Sequence, residues 1–296
     1  MSIVLNIKDL SKSYGNIKAL DNLSLTVEKG DILGLLGPNG SGKTTTLAII
    51  LSILKADKGK FEWFEGKYGK NPRKHIGAIL ETPNFYPYKT GIDNLKIIAA
   101  IKGINDFDYE GVLKLVNLEH RKNSKFRTYS LGMKQRLAIA ATMIGNPEMV
   151  IFDEPTNGLD PKGIAEVRLI LKRVAESGRT VLIASHILDE VEKICSHVAI
   201  IKKGKLLAKG LVGELLSNDY FLEINALETE KLIQLAKELN FIKSVKEENN
   251  FWLWRIDNSI PKNMISKILQ DNNITLTHFL IRKQSLEEEF LEITKN

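Results

Sequence analysis

The chain has 296 residues, 43% of them apolar and 26% charged, the balance of an ordinary globular protein long enough to bury a sizeable core. Its net charge of +6 permits contact with nucleotide phosphates, anionic lipid or nucleic acid and selects none of them, and because Lys and Arg are dispersed, charge alone does not favour nucleic acid. A lone cysteine, Cys195, excludes an intramolecular disulfide and suits a reducing, cytosolic compartment.

The opening "MSIVLNIKDL" lacks a cationic start followed by a long apolar run, so no signal peptide is expected. "IVLNIKDL" and "LDNLSLTVEKGD" alternate as strands of an antiparallel sheet do. "ILGLLG", residues 32–37, reads as a buried strand running into a Gly-rich turn, and a helix is expected from Lys43 to Leu54. That helix carries the longest apolar run, "LAIILSIL". It falls well short of the ~20 residues a membrane span needs, so membrane work requires another chain. Helices are predicted near 92–102, over 108–117 and from Leu131 to Ile144. "EMVIFDEP" is a buried strand, "PKGIAEVRLILKRVAES" an amphipathic helix, "TVLIAS" a strand, "ILDEVEKIC" a helix, and "HVAIIKKGKLLAKG" a hairpin turning at Lys-Gly. Strands alternating with helices predict an α/β domain with a parallel core.

The pattern changes after about Ser217, which divides the chain into 1–216 and 217–296. The second part reads as strand 219–226, helix 228–239, strands 241–248 and 251–257, helix 260–271, strand 273–283 and a closing helix 285–294. This βαββαβ order suits a small ferredoxin-like α+β domain, the other reading being a loose helical-hairpin tail. In "NFWLWRID" both faces are largely apolar, which favours core packing over a ligand site.

Two stretches carry chemistry. "GPNGSGKT" (Gly37, Pro38, Asn39, Gly40, Ser41, Gly42, Lys43, Thr44) fits G-x-x-x-x-G-K-[ST] between an apolar strand and a helix. Its glycines admit a backbone that aims successive N–H groups at phosphates, and the helix N-terminus adds partial positive charge. Lys43 is then placed for the β- and γ-phosphates, the Thr44 hydroxyl for Mg²⁺, and Thr45 follows on the same helix. "MVIFDEP" ends a buried strand with Asp153, suited to holding Mg²⁺, and Glu154, suited to act as general base on the attacking water. To this point the reading is only a P-loop NTPase, with Mg²⁺ beside the nucleotide phosphates.

"YSLGMKQR", residues 129–136, resembles the L-S-G-G-Q-K-Q-R signature of ABC (ATP-binding cassette) ATPases. Leu131 replaces the first glycine and Met133 the glutamine. "PTNGLD" is similar to the family's D-loop, "VLIASHILDEVE" places His186 where the family has its switch histidine, and "SKSYGNIKAL" places Tyr14 where the family stacks a ring on adenine. Plain strand packing is the other reading of Tyr14. The resemblance covers roughly residues 1–215. It implies a RecA-like core with antiparallel β and helical subdomains. It also implies a head-to-tail sandwich of two ATPs between two copies, in which Ser130 and Gly132 of one copy meet the γ-phosphate held by the other. The expected partners are therefore a second copy of the cassette and a separate transmembrane permease, on the cytoplasmic face of the membrane, with no nucleic acid.

Soluble ABC translation factors need two cassettes in one chain, and repair-type proteins split the cassette with a long coiled coil; neither pattern is seen. "SLEEEFLEIT", residues 285–294, and the small domain before it resemble the end of ABC-2-type exporter ATPases. In "AILETPNF", Glu81 stands where the family usually has glutamine. As a metal-side oxygen ligand it remains competent, and the surrounding "IGAILETPNFYPYKTGIDNL" resembles bacitracin-type and lantibiotic-immunity ATPases. The expectation is export of an antimicrobial peptide or drug, with an importer subunit as the alternative. The aromatic loop that follows (Phe85, Tyr86, Tyr88) has two readings, a seat for a permease helix or internal packing.

Overall fold

The computed structural model describes residues 2–80, 84–215, 220–248, 250–257, 259–283 and 290. The chain divides into two compact units, Met1–Val212 and Gly213–Asn296.

In the first unit, β1 (Ile3–Tyr14) and β2 (Ile17–Glu28) form the expected antiparallel pair. Next come β3 (Ile32–Leu36), α1 (Lys43–Ile50) and β4 (Lys58–Trp63), which adds to the free side of β1. Then follow β5 (Ile76–Ile79), α2 (Gly91–Lys102), α3 (Tyr109–Leu115) and α4 (Leu131–Thr142). The unit is completed by β6 (Met149–Asp153), α5 (Pro161–Glu176), β7 (Thr180–Ser185), α6 (Leu188–Ile194), β8 (His197–Lys202) and β9 (Lys205–Leu211). The short α7 (Val212–Leu215) lies where the chain passes into the second unit.

A six-stranded sheet runs in the order β5-β6-β7-β3-β8-β9, parallel except for β9. Every residue of β6 and β7 is buried, as expected of parallel strands covered on both faces. One such cover is α5, whose Val167, Ile170, Leu171 and Val174 make a fully buried stripe. Its partner α6 is tied to it by an ion pair in which the Arg168 Nε donates to the buried Glu190 carboxylate at 3.1 Å. Glu190 raises the Arg168 pKa by hydrogen bonding.

Two local readings are corrected. The first helix stops at Ile50 rather than Leu54. Ser52 takes a φ of 60°, its N–H returns to the Ile49 carbonyl, and the Ile53 N–H returns to that of Ala48. This is a Schellman ending made without glycine, so the apolar run outlasts the helix. The strand β4 was not foreseen, because only Trp63 of "KGKFEW" is buried and the alternation is hidden in an edge strand. By contrast α2 starts on a full capping box, Thr90 with Asp93.

The second unit holds β10 (Tyr220–Ala226), α8 (Thr229–Glu238), β11 (Ile242–Glu248), β12 (Phe251–Ile256), α9 (Lys262–Asp271) and β13 (Leu276–Lys283). The sheet order β11-β12-β10-β13 is antiparallel throughout, the split βαβ arrangement. Tyr220, Leu222, Ile224 and Ala226 line one face of β10 and pack with Leu232 and Leu235 of α8, Ile265 and Leu269 of α9, and the fully buried Trp254. The closing helix expected over 285–294 lies outside the described residues, apart from Phe290.

Candidate active site

Strand order brings the chemistry together. The strands β6, β7 and β3 are neighbours, with Asp153 opposite Ala184 and Leu36 opposite Ser185. The carboxyl ends of all three therefore meet, which is where an open α/β sheet binds ligands. From β3 emerges the phosphate loop, from β6 the pair Asp153–Glu154, and from β7 the segment Ser185–His186.

The loop needs its glycines for two different reasons. At Gly37 a Cβ would fall 2.3 Å from the Ile201 carbonyl oxygen and 2.4 Å from Ser41 Oγ. At Gly42, φ is 108° and a Cβ would fall 2.6 Å from the Ala19 carbonyl oxygen. The Ser41 hydroxyl is buried inside this cradle and finds no hydrogen-bond partner among the described residues. A buried hydroxyl left over beside a loop that turns its backbone inward fits a polyoxygen ligand such as a nucleotide phosphate.

Lys43 is buried, and its Nζ donates to the Gly37 carbonyl at 2.7 Å while lying 3.4 Å from Glu154 Oε1. The Thr44 hydroxyl donates to Asp153 Oδ2 at 2.9 Å. Thr45 sits half-buried on α1, whereas Pro38, Asn39 and Gly40 are exposed at the loop's crest. Hydroxyl and carboxylate oxygens side by side suit a hard divalent cation.

Glu154 lies between two cationic or proton-bearing neighbours. On one side is Lys43; on the other, His186 Nδ1 stands 2.8 Å from Oε2. The backbone N–H of His186 also donates to this oxygen at 3.4 Å. The Ser185 hydroxyl, itself buried, accepts from the Ile187 N–H at 3.0 Å and so fixes the turn that presents His186. A carboxylate held this way at a strand end can take a proton from a water molecule.

Ser130 and Gly132 lie elsewhere. Ser130 caps α4, its Oγ accepting from the Met133 N–H at 3.3 Å, and a Cβ on Gly132 would meet nothing within 4 Å. Together with Gly158, Leu159 and Asp160 they line a cleft of about 440 Å³ that contains no residue of the phosphate loop. Leu131, in place of the family's glycine, is exposed at the lip of that cleft. Tyr14 is 50% exposed at the end of β1, with Lys12 Nζ 5.9 Å from the ring centroid, so half of the ring is open to solvent. Glu81 lies outside the described residues.

One element of the site was not legible as such. The Lys-Gly turn between β8 and β9 is clasped to the phosphate loop: the Gly204 N–H donates to the Ser41 carbonyl at 2.9 Å, and the Asp21 N–H donates to the Gly204 carbonyl at 3.0 Å. Gly204 has φ of 76°, and a Cβ there would fall 2.6 Å from the Ala19 carbonyl oxygen. A left-handed conformation costs an ordinary residue about 1–2 kcal/mol before any clash. Gly204→Ala should therefore weaken ATP binding about tenfold or more with a smaller effect on kcat, read from the split between KM and kcat in steady-state hydrolysis.

The chain is similar to known proteins over most of its length. The family model for ABC transporters matches residues 20–157. The bacitracin transport ATP-binding protein BcrA of Bacillus licheniformis is 36% identical over 99% of this chain and 98% of its own length. The lantibiotic transport ATP-binding protein SrtF of Streptococcus pyogenes is 38% identical over 69% of this chain and 89% of its own length. Among solved structures, the dimeric ATP-binding cassette MJ0796 bound to ADP and Pi superposes with a TM-score of 0.61, at 27% identity over 70% of this chain and 98% of that one. The fold and site define a P-loop ATPase. The chain belongs to the family of ABC transporter ATP-binding proteins, and it is an ATPase of that family.

Proposed function

We propose that this chain hydrolyses ATP to drive a permease that exports an antimicrobial peptide, conferring resistance or self-immunity. The supporting observation for the chemistry is Glu154, held between Lys43 and His186 beside the phosphate loop. For the cargo it is the similarity to BcrA, which runs through both units of the chain.

In this reading the phosphates lie in the cradle of Gly37–Thr44, and Tyr14 stacks on the base. Mg²⁺ would be held by Thr44 and Asp153, and by Glu81 on family resemblance alone, where it would offset charge on the phosphate oxygens. Glu154 accepts the proton of the attacking water and His186 orients that carboxylate. The cleft at Ser130 and Gly132 is then completed by a second copy, head to tail, whose bound γ-phosphate meets the N-terminus of α4. Among the described residues no helix is long and apolar enough to cross a membrane. In this reading the permease is a separate chain, and this one acts at the membrane's cytoplasmic face.

The test is deletion of the gene in its own organism, followed by measurement of growth against bacitracin, a lantibiotic and an unrelated antibiotic. Sensitisation to a peptide antibiotic, reversed by the intact gene but not by one carrying Glu154→Gln, is the expected result. Unchanged sensitivity together with loss of uptake of a nutrient would favour the importer alternative.

A further inference from the structure

The phosphate loop and the turn that clasps it share one backing. A Cβ on Gly42 of the loop would fall 2.6 Å from the Ala19 carbonyl oxygen, and a Cβ on Gly204 of the turn would fall 2.6 Å from the same atom. Leu20 closes the contact, its Cδ2 lying 2.8 Å from the first of these positions and its Cα 2.7 Å from the second. The start of β2 is thus wedged against both turns. It also pairs with the end of β1 that carries Tyr14, since Tyr14 lies opposite Ile17 and Ser13 opposite Lys18. A shift at the start of β2 would therefore be felt at Tyr14 and at the phosphate loop together.

Asp21 fastens this junction. Its backbone N–H donates to the Gly204 carbonyl at 3.0 Å. Its carboxylate pairs through Oδ1 with Lys18, three residues back on the same strand, and through Oδ2 with Lys205 Nζ at 3.3 Å. Lys205 directly follows Gly204. One half-buried acid between two exposed lysines thereby bridges the hairpin of Tyr14 and the turn closed on Ser41. The hydrogen bond from Lys18, with help from Lys205, holds the Asp21 carboxyl below its ordinary value, so it is ionised at neutral pH.

We propose that Asp21 is a positioning residue for ATP, tying the hairpin that carries Tyr14 to the turn that closes on the phosphate loop, so that base and phosphates are met by one rigid unit. The assignment rests on the reading above in which Tyr14 stacks on the base, and adds to it the link between the two ends of the nucleotide. The gain is preorganisation: with the hairpin fixed, ATP does not have to order Tyr14 against the cradle as it binds. A ligand made only of phosphates engages the cradle and draws no benefit from the tie. A change of the Asp21 side chain leaves the backbone bonds from Gly204 to Ser41 and from Asp21 to Gly204 available, so the cradle keeps its clasp.

The probes are ATP and inorganic tripolyphosphate, each with Mg²⁺, titrated by calorimetry into the full chain. Asp21→Asn should weaken ATP about three- to tenfold and leave tripolyphosphate within about twofold. Lys205→Gln should act in the same direction, and Asp21→Glu, which keeps the charge, should retain most of the ATP affinity. Tyr14→Ala should weaken ATP alone, and Asp21→Asn added to it should cost little more, because both act on the same contact. Equal losses for the two ligands in Asp21→Asn, no loss for either, or full additivity with Tyr14→Ala overturns the assignment. Wild-type ATP affinity in Tyr14→Ala removes the base reading and this assignment with it. A loss in Tyr14→Ala without an ATP-specific loss in Asp21→Asn removes only the role of Asp21.

Discussion

Glu154→Gln should leave ATP binding within about threefold of wild type and cut hydrolysis by about 10²–10⁴-fold, the usual contribution of a positioned general base. The argument is geometric. Glutamine has the shape of glutamate and can still accept from the His186 N–H through its amide oxygen, so the strand end should keep its form. It cannot accept a proton from water at neutral pH, and it ends the attraction to Lys43, which lies 3.4 Å away. Lys43 remains bound to the Gly37 carbonyl, so the phosphate loop does not lose its internal tie. Single-turnover phosphate release, paired with equilibrium binding of ATP, separates the two effects. Turnover near that of wild type would remove Glu154 from the role of base.

Lys43→Ala should have its effect on the other quantity. The ammonium is buried and tied to the carbonyls of Gly37 and Pro38 at 2.7 and 3.4 Å. Its loss removes a charge-assisted donor for phosphate, about 1.5–3 kcal/mol, or roughly 10–150-fold in affinity. The loop's own carbonyls are left without that donor, so the cradle should also become less ordered and the loss should lie toward the upper end. Calorimetric titration with ATP and with ADP provides the measurement. The deficit should be larger for ATP, because the lysine is placed for the terminal phosphates. Equal affinities in mutant and wild type would contradict the loop assignment.

Much of this site could be read from sequence because its parts are local. A phosphate loop is a contiguous backbone shape, and the apolar runs before Asp153 and His186 announce buried parallel strands whose ends must carry the chemistry. What stayed hidden depends on pairings between distant segments. Nothing in "KKGK" says that Gly204 closes onto Ser41, and nothing in "RLILKR" or "LDEVEK" says that Arg168 will meet Glu190. The early end of α1 was hidden for a different reason. Ser52 adopts a conformation usually left to glycine, so composition gave no stop signal before Leu54. Leu131 and Met133 weakened the match to the family signature, yet Ser130 caps α4 and Gly132 stays open, the two features that the predicted phosphate contact requires.

Glu154 itself has φ of 47°, in the left-handed region that residues with a Cβ avoid. The residue proposed to do the chemistry is therefore held in a backbone shape that works against the fold. Glu154→Gly should relieve about 1 kcal/mol of that strain, but it also forfeits the ties to Lys43 and His186, so no gain in melting temperature is expected while useful turnover is lost. A search for hardier variants that scores only heat resistance is blind to what this backbone shape is for. The strain is the cost of presenting a carboxylate at the strand end, and a screen must keep a transport readout beside the thermal one.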